Sequence, residues 1–150
     1  MRNEIKKLEG FVLGVDGGGT KTTIQIADIN GKLISEVESG PANYKSVGIE
    51  NAKLNIIKAV LNALRRTGIP KEVMFLSACF GISGNDNYED EEIYRKIIFD
   101  SELRSYLNPF KAIICNDTKI GLAAGTDNRN GVIIICGTGS NCYGTNEAGQ

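Results

Sequence analysis

Apolar positions change their spacing several times along this chain of 150 residues. Phe11-Val12-Leu13-Gly14-Val15 is a short apolar run that ends at Asp16 and the glycines Gly17, Gly18 and Gly19. Beyond them Thr22, Ile24 and Ile26 alternate with Thr23, Gln25 and Ala27, the period of two expected of a strand. Asn30-Gly31 is a strong hairpin signal, and Lys32 to Glu38 reads as a third strand. The glycine cluster is therefore predicted to be a tight turn between antiparallel strands. From Ile49 the spacing turns helical through Ala52, Ile56, Val60 and Leu64; Arg65-Arg66 suit a last turn, and Gly68 can cap it.

Val73 to Phe80 is mostly apolar, as a buried parallel strand would be, and Gly81-Ile82-Ser83-Gly84-Asn85 reads as a loop. Glu89-Asp90-Glu91-Glu92 places carboxylates in the first turn of a second helix, continued by Ile93, Ile97 and Ile98. Pro109 interrupts the chain, Lys111 to Cys115 forms a fifth strand closed by Asn116-Asp117, and a short helix is expected over Thr118 to Gly125. The predicted order, β-β-β-α-β-α-β-α, implies an α/β fold: a mixed sheet with flanking helices.

The pattern then restarts. Val132 to Cys136 is apolar, Gly137-Thr138-Gly139-Ser140 is a second glycine-and-hydroxyl turn, Asn141 to Thr145 is a returning strand, and Asn146-Glu147-Ala148-Gly149 is a further hairpin turn. Residues 1–130 are expected to form one lobe, and residues 131–150 the first hairpin of a second lobe that is cut short.

Composition narrows the chemistry more than the fold. There are 17 basic and 18 acidic residues and no long basic run, which argues against non-specific nucleic-acid binding and against adhesion to an anionic membrane. No apolar stretch approaches the roughly 18 residues of a membrane span, and Met1 to Leu8 is a charged lead-in, so the expected location is the cytoplasm. Histidine is absent, which excludes imidazole-based catalysis and leaves carboxylates, hydroxyls, backbone amides and a metal. Cys79, Cys115, Cys136 and Cys142 form no Cys-x-x-Cys pair; the first three lie in strand-like runs and are expected to be buried, reduced thiols.

Asp16-Gly17-Gly18-Gly19-Thr20-Lys21-Thr22 is neither a Walker loop, because Thr20 intervenes and a strand follows, nor a dinucleotide fingerprint, because no helix follows. What remains is a hairpin turn whose glycines let backbone amides approach an anion, or a plain turn. Thr20 and Lys21 could add donors to phosphate oxygens, and Asp16 is placed to hold Mg²⁺ through water. Gly137, Thr138, Gly139 and Ser140 are the second candidate phosphate turn; two such turns could hold a triphosphate from both sides. Asp117 ends a strand, where open α/β sheets place their ligand chemistry, although capping the next helix is the commoner use of such a residue.

Taken together, these three motifs resemble the actin-like ATPase and sugar kinase superfamily with its ribonuclease H-like domain. Within it they resemble the BadF/BadG/BcrA/BcrD-type group that includes N-acetylglucosamine kinases. The resemblance implies ATP and Mg²⁺ as cofactors and an amino sugar as substrate. It casts Asp117 as the catalytic base for the 6-hydroxyl, and the two turns, with Gly17, Gly18, Gly19, Thr20, Lys21, Gly137, Thr138, Gly139 and Ser140, as phosphate motifs. Asn43, Ser140 and Asn141 match positions near the sugar; Tyr44 and Ser83 are equally well read as core packing and loop bonding. It also raises pairing into a homodimer, and it leaves residues 1–150 expected to be inactive alone. Its alternatives are an ATPase activating a dehydratase or reductase, a regulator or kinase of the ROK type, and a non-enzymatic actin-like scaffold.

Overall fold

The computed structural model describes residues 10–68, 74–128, 130–136 and 140–148. Its centre is a five-stranded sheet in the order β3-β2-β1-β4-β5. Strands β1 (Phe11–Gly17), β2 (Thr22–Asp28) and β3 (Leu33–Ser39) form an antiparallel meander. Strands β4 (Ser77–Ile82) and β5 (Ala112–Cys115) run parallel to β1. The sheet is thus mixed, as the order of elements predicts.

One face carries the core. Leu13 and Val15, Ile24 and Ile26, Val37, Ala78, Phe80 and Ile82, and Ala112 and Ile114 are buried at alternate strand positions, so all point the same way. Helix α2 (Ile49–Thr67) covers them with Ala52, Ile56, Ala59, Val60, Ala63 and Leu64, whose spacing of three and four makes one apolar stripe. The helix ends as expected at Gly68, in the left-handed conformation at φ 67°. Helix α3 (Tyr88–Phe99) adds Tyr94, Ile97 and Ile98, with Asn87 capping it by accepting from Asp90 N–H. Among the described residues, the short helix α4 (Asp117–Gly125) packs on the opposite face.

Several boundaries differ from the sequence pattern. A four-residue helix, α1 (Tyr44–Val47), stands ahead of the helix expected from Ile49, with Asn43 as its N-cap. Gly81 and Ile82 belong to β4 and not to a loop: both ladder onto β1, and Ile82 is fully buried. Gly81 is there because a Cβ on it would lie 2.4 Å from Ile120 Cδ1, so only glycine lets α4 settle on the sheet. Val73 of the expected Val73 to Phe80 strand lies outside the described residues, and the strand itself begins at Ser77. The Asn30-Gly31 turn is a longer connection held by Asp28, which accepts from the N–H groups of Asn30 and Lys32.

The cysteines correct a further expectation. Cys79 and Cys115 are half-buried, since both sit on the sheet side away from the core, which α4 covers only in part, and Cys136, at the end of the separate β6–β7 hairpin, is exposed. Their contact with each other matters for their acidity: the hydrogen bond from Cys115 brings the Cys79 thiol down to about 7, and the same bond, with burial, pushes Cys115 up.

After the sheet, β6 (Gly131–Cys136) and β7 (Ser140–Thr145) pair antiparallel as a separate two-stranded hairpin, repeating the geometry of β1 and β2. No described helix is long and apolar enough to cross a membrane.

Candidate active site

Strand β1 delivers the chain into a turn that Gly18 N–H closes by donating to Lys21 C=O at 2.8 Å. That turn is pinned from two sides. Ala42 N–H donates to Gly18 C=O at 3.1 Å, and Ser83 N–H donates to Gly17 C=O at 2.8 Å. The loops after β3 and after β4 are therefore stitched directly to the glycine turn.

The three segments, with the start of α4 and the start of β7, enclose a cleft of about 460 Å³. Its walls include Gly19, Thr20, Asn43, Ser83, Asp117, Ser140 and Asn141. Residues more than ninety positions apart in sequence thus meet at one opening. Ser46, Gly84 and Ile135 complete the lining; Ser46 and Ile135 were not singled out by the sequence, whereas Gly84 belongs to the loop with Ser83 that it offered for the same cleft.

Asp117 sits at the first position of α4, but the helix is capped by its neighbour. Asn116 Oδ1 accepts from Thr118 N–H at 3.0 Å and from Thr118 Oγ1 at 2.6 Å, while its Nδ2 donates to Asp86 at 2.9 Å. The expectation that Asp117 itself caps the helix is corrected: Asn116 takes that role, and among the described residues no side-chain bond fixes the Asp117 carboxylate away from the cleft. Burial raises the pKa of Asp117 above the ordinary carboxylate value; the negative charges of Asp16 and Asp86 add to this, and backbone donors oppose it.

Asn43 caps α1 through Oδ1, which accepts from Lys45 N–H at 3.0 Å. Its amide packs against Gly84, where a Cβ would come within 2.6 Å of Oδ1. Ser83 Oγ is buried, has no hydrogen-bond partner among the described residues, and belongs to the cleft wall. A buried hydroxyl without a partner is costly, so a site that leaves one at its wall is shaped for a polar guest.

Tyr44 is not simply core packing. Its hydroxyl donates to Asp90 at 2.5 Å, and Lys45 Nζ reaches the same carboxylate at 2.8 Å and Asp86 at 3.1 Å. Burial alone would raise the Asp90 pKa, but Lys45, Tyr44 and the Asp86 amide outweigh it and hold the carboxyl down to about 2. Nothing in the sequence marks this cluster beyond Asp90 in a helical first turn, because its partners lie some 45 residues earlier.

Not every expected residue comes to the cleft. Lys21 is turned toward β3, where Glu38 accepts from its ammonium and raises its pKa; it does not line the opening. Gly137, Thr138 and Gly139 lie outside the described residues. Asp16 is exposed at the end of β1 and borders a neighbouring hollow, close enough to Asp117 for its charge to act there. Among the described residues no three Cys, Asp or Glu side chains gather as a metal site. Mg²⁺ needs less than that: it keeps several waters and takes one or two carboxylates, and the effect of the Asp16 charge on Asp117 is what a divalent cation would relieve.

A mixed sheet with helices on both faces, followed by a second hairpin that opens like the first, is the architecture of actin-like ATPases. Residues 13–150 match the BadF/BadG/BcrA/BcrD ATPase family, and the chain belongs to it. An N-acetylmuramic acid/N-acetylglucosamine kinase of Clostridium acetobutylicum is 37% identical over 140 residues, covering 93% of this chain and 44% of that protein. An N-acetyl-D-glucosamine kinase of Dictyostelium discoideum is 37% identical over 145 residues, covering 91% of this chain and 44% of that protein. In three dimensions, a structure assigned as an N-acetylglucosamine kinase from Chromobacterium violaceum aligns with a TM-score of 0.65 over 94% of this chain and 47% of its own, at 24% identity. The chain therefore spans less than half the length of the curated relatives it matches.

Proposed function

We propose that this chain is the front part of a kinase that transfers the γ-phosphoryl group of ATP to the 6-hydroxyl of N-acetylglucosamine or a close amino sugar. Residues 1–130 then make the first lobe, and residues 131–150 open the second. The observation that supports this most directly is the Asp117 carboxylate, relieved of the capping role, in a cleft whose other walls are a glycine turn, an amide and a hydroxyl with no partner among the described residues.

In this reading Asn43 and Ser83 orient the sugar, and Asp117 accepts the proton of the 6-hydroxyl as that oxygen bonds to the γ-phosphorus. The bond from the γ-phosphorus to the bridging oxygen breaks, and ADP leaves with the electron pair. Phosphoryl transfer asks chiefly for alignment and charge neutralisation, so one well-placed carboxylate suffices as base. The raised pKa of Asp117 makes it a better proton acceptor than an exposed aspartate. Gly19 and Thr20 present the glycine turn to the phosphates, and Asp16 would hold Mg²⁺, which screens phosphate charge.

The test is ADP release by the intact protein with ATP, Mg²⁺ and a panel of N-acetylglucosamine, glucosamine and glucose. Release should depend on the amino sugar, and Asp117→Asn should cut kcat by about 10²–10⁴-fold while changing the sugar KM only slightly. Hydrolysis that ignores the sugar, or turnover that survives Asp117→Asn, overturns the reading.

A further inference from the structure

We propose that Asp86 is a positioning residue for the phosphoryl transfer: through Asn116 it holds Asp117 in register with the walls that meet the sugar. Its role presupposes the kinase reading of the cleft. Asp86 lines a separate hollow of about 530 Å³ and not the cleft itself, so it acts at one remove from the reacting atoms.

The loop between β4 and α3 does two things over Ser83 to Asp86. At Ser83 it forms a wall of the cleft, and its backbone there is bonded to the glycine turn. At Asn85 and Asp86 it grips the start of α4: Asn116 Nδ2 donates to Asn85 C=O at 3.3 Å and to Asp86 Oδ1 at 2.9 Å. A side-chain amide nitrogen has two hydrogens to donate, and here one loop takes both. The amide plane is thereby fixed. That aims Oδ1 at the N–H and hydroxyl of Thr118 and sets where the next residue, Asp117, begins its helix.

Asp86 is itself held in place. Its N–H donates to Asp90 Oδ2 at 2.9 Å, and its second oxygen accepts from Lys45 Nζ at 3.1 Å, two residues along from Asn43. Local structure does not otherwise call for an aspartate. Asn87 is the N-cap of α3, and the Lys45–Asp86 pair, with side chains 40% and 55% exposed, adds little stability. One carboxylate therefore takes a bond from α1, beside the Asn43 wall, and a bond from the residue before the base. The hydroxyl, the amide and the base come from three segments and share this anchor. Alignment of a sugar hydroxyl with the γ-phosphorus depends on the spacing among them.

Steady-state kinetics of the intact protein with ATP, Mg²⁺ and N-acetylglucosamine test this. Asp86→Ala should lower kcat about ten- to hundredfold and leave both KM values within about threefold, because alignment is lost and binding is not. Asp86→Asn keeps an oxygen for Asn116 while removing the charge, so it should recover most of the rate. In an Asp117→Asn background, Asp86→Ala should slow turnover by less than about twofold more, since the base it serves is gone. Four results overturn the positioning role and leave the kinase reading standing: an unchanged kcat in Asp86→Ala, a loss carried by KM, an Asp86→Asn variant as slow as Asp86→Ala, or equal losses in both backgrounds. Wild-type protein without sugar-dependent turnover removes both.

Discussion

Asn116 and Asp117 are adjacent and chemically alike, yet the fold gives them separate work. The amide satisfies the first turn of α4 and grips Asp86, so the carboxylate beside it is left to face the cleft. Sequence could point to the pair but not to the division, because either residue makes a good N-cap. Gly84 shows the same dependence on a neighbour. It stands at φ 81°, and a side chain on it would strike the Asn43 amide. Gly84→Ala should therefore cost about 1 kcal/mol or more, since the left-handed region is unfavourable for alanine and Asn43 must shift. Urea unfolding measures the first effect. In kinetics, the same variant should raise the sugar KM by more than it lowers kcat if, as proposed, Asn43 orients the sugar and does not react. An unchanged KM would show that Asn43 lies off the sugar's path.

Between elements, the buried carboxylate of Asp90 is the junction. It joins α3 to α1 through Tyr44 and Lys45, and Asp86 extends the connection to Asn116 and hence to α4. Tyr94 reinforces it: its ring meets that of Tyr44 edge-on at 5.4 Å, and its hydroxyl donates to Ala42 C=O at 3.2 Å. Asp90 titrates near 2 when folded against 3.8 for an ordinary aspartate. Its contribution is thus complete above about pH 4 and is lost as pH falls through the folded value. Asp90→Asn should destabilise by on the order of 1–3 kcal/mol at neutral pH and flatten the decline in stability between pH 4 and pH 2. Denaturant melts of both proteins across that range check the sign; a decline as steep in the variant would place the acid sensitivity elsewhere. The contact of α4 with β4 offers a second check. Gly81→Ala should destabilise by about 1–3 kcal/mol through overpacking on Ile120, and adding Ile120→Val should recover part of it.

Across the whole molecule, the legible part was the part written in local periodicity. A short apolar run marks β1 and alternation marks β2, the stripe of α2 is visible from Ala52 to Leu64, and the hairpin nature of the glycine turn follows from the strand after it. Long-range matters were not legible. Gly81 looks like a loop residue until Ile120 is seen above it, and the apolar run of β6 suggests burial although Val132 and Ile134 stand 70% and 68% exposed on the side away from α4. The same limit applies to electrostatics. Asp16 and Asp117 are 101 positions apart in sequence, yet the parallel pairing of β1, β4 and β5 brings the end of β1 and the start of α4 to one edge, where the charge of Asp16 disfavours that of Asp117. That coupling predicts a direction. Burial comes first in raising Asp117, and Asp16 adds to it, so Asp16→Asn should lower the Asp117 pKa without returning it to the ordinary value. Carboxyl-carbon NMR of the intact protein, titrated without nucleotide or metal, reads this directly. In the wild type with Mg²⁺ added, the Asp117 titration should move down as well, because a cation beside Asp16 cancels the same repulsion. A titration of Asp117 that ignores both the substitution and the ion would mean that the two carboxylates do not share one site.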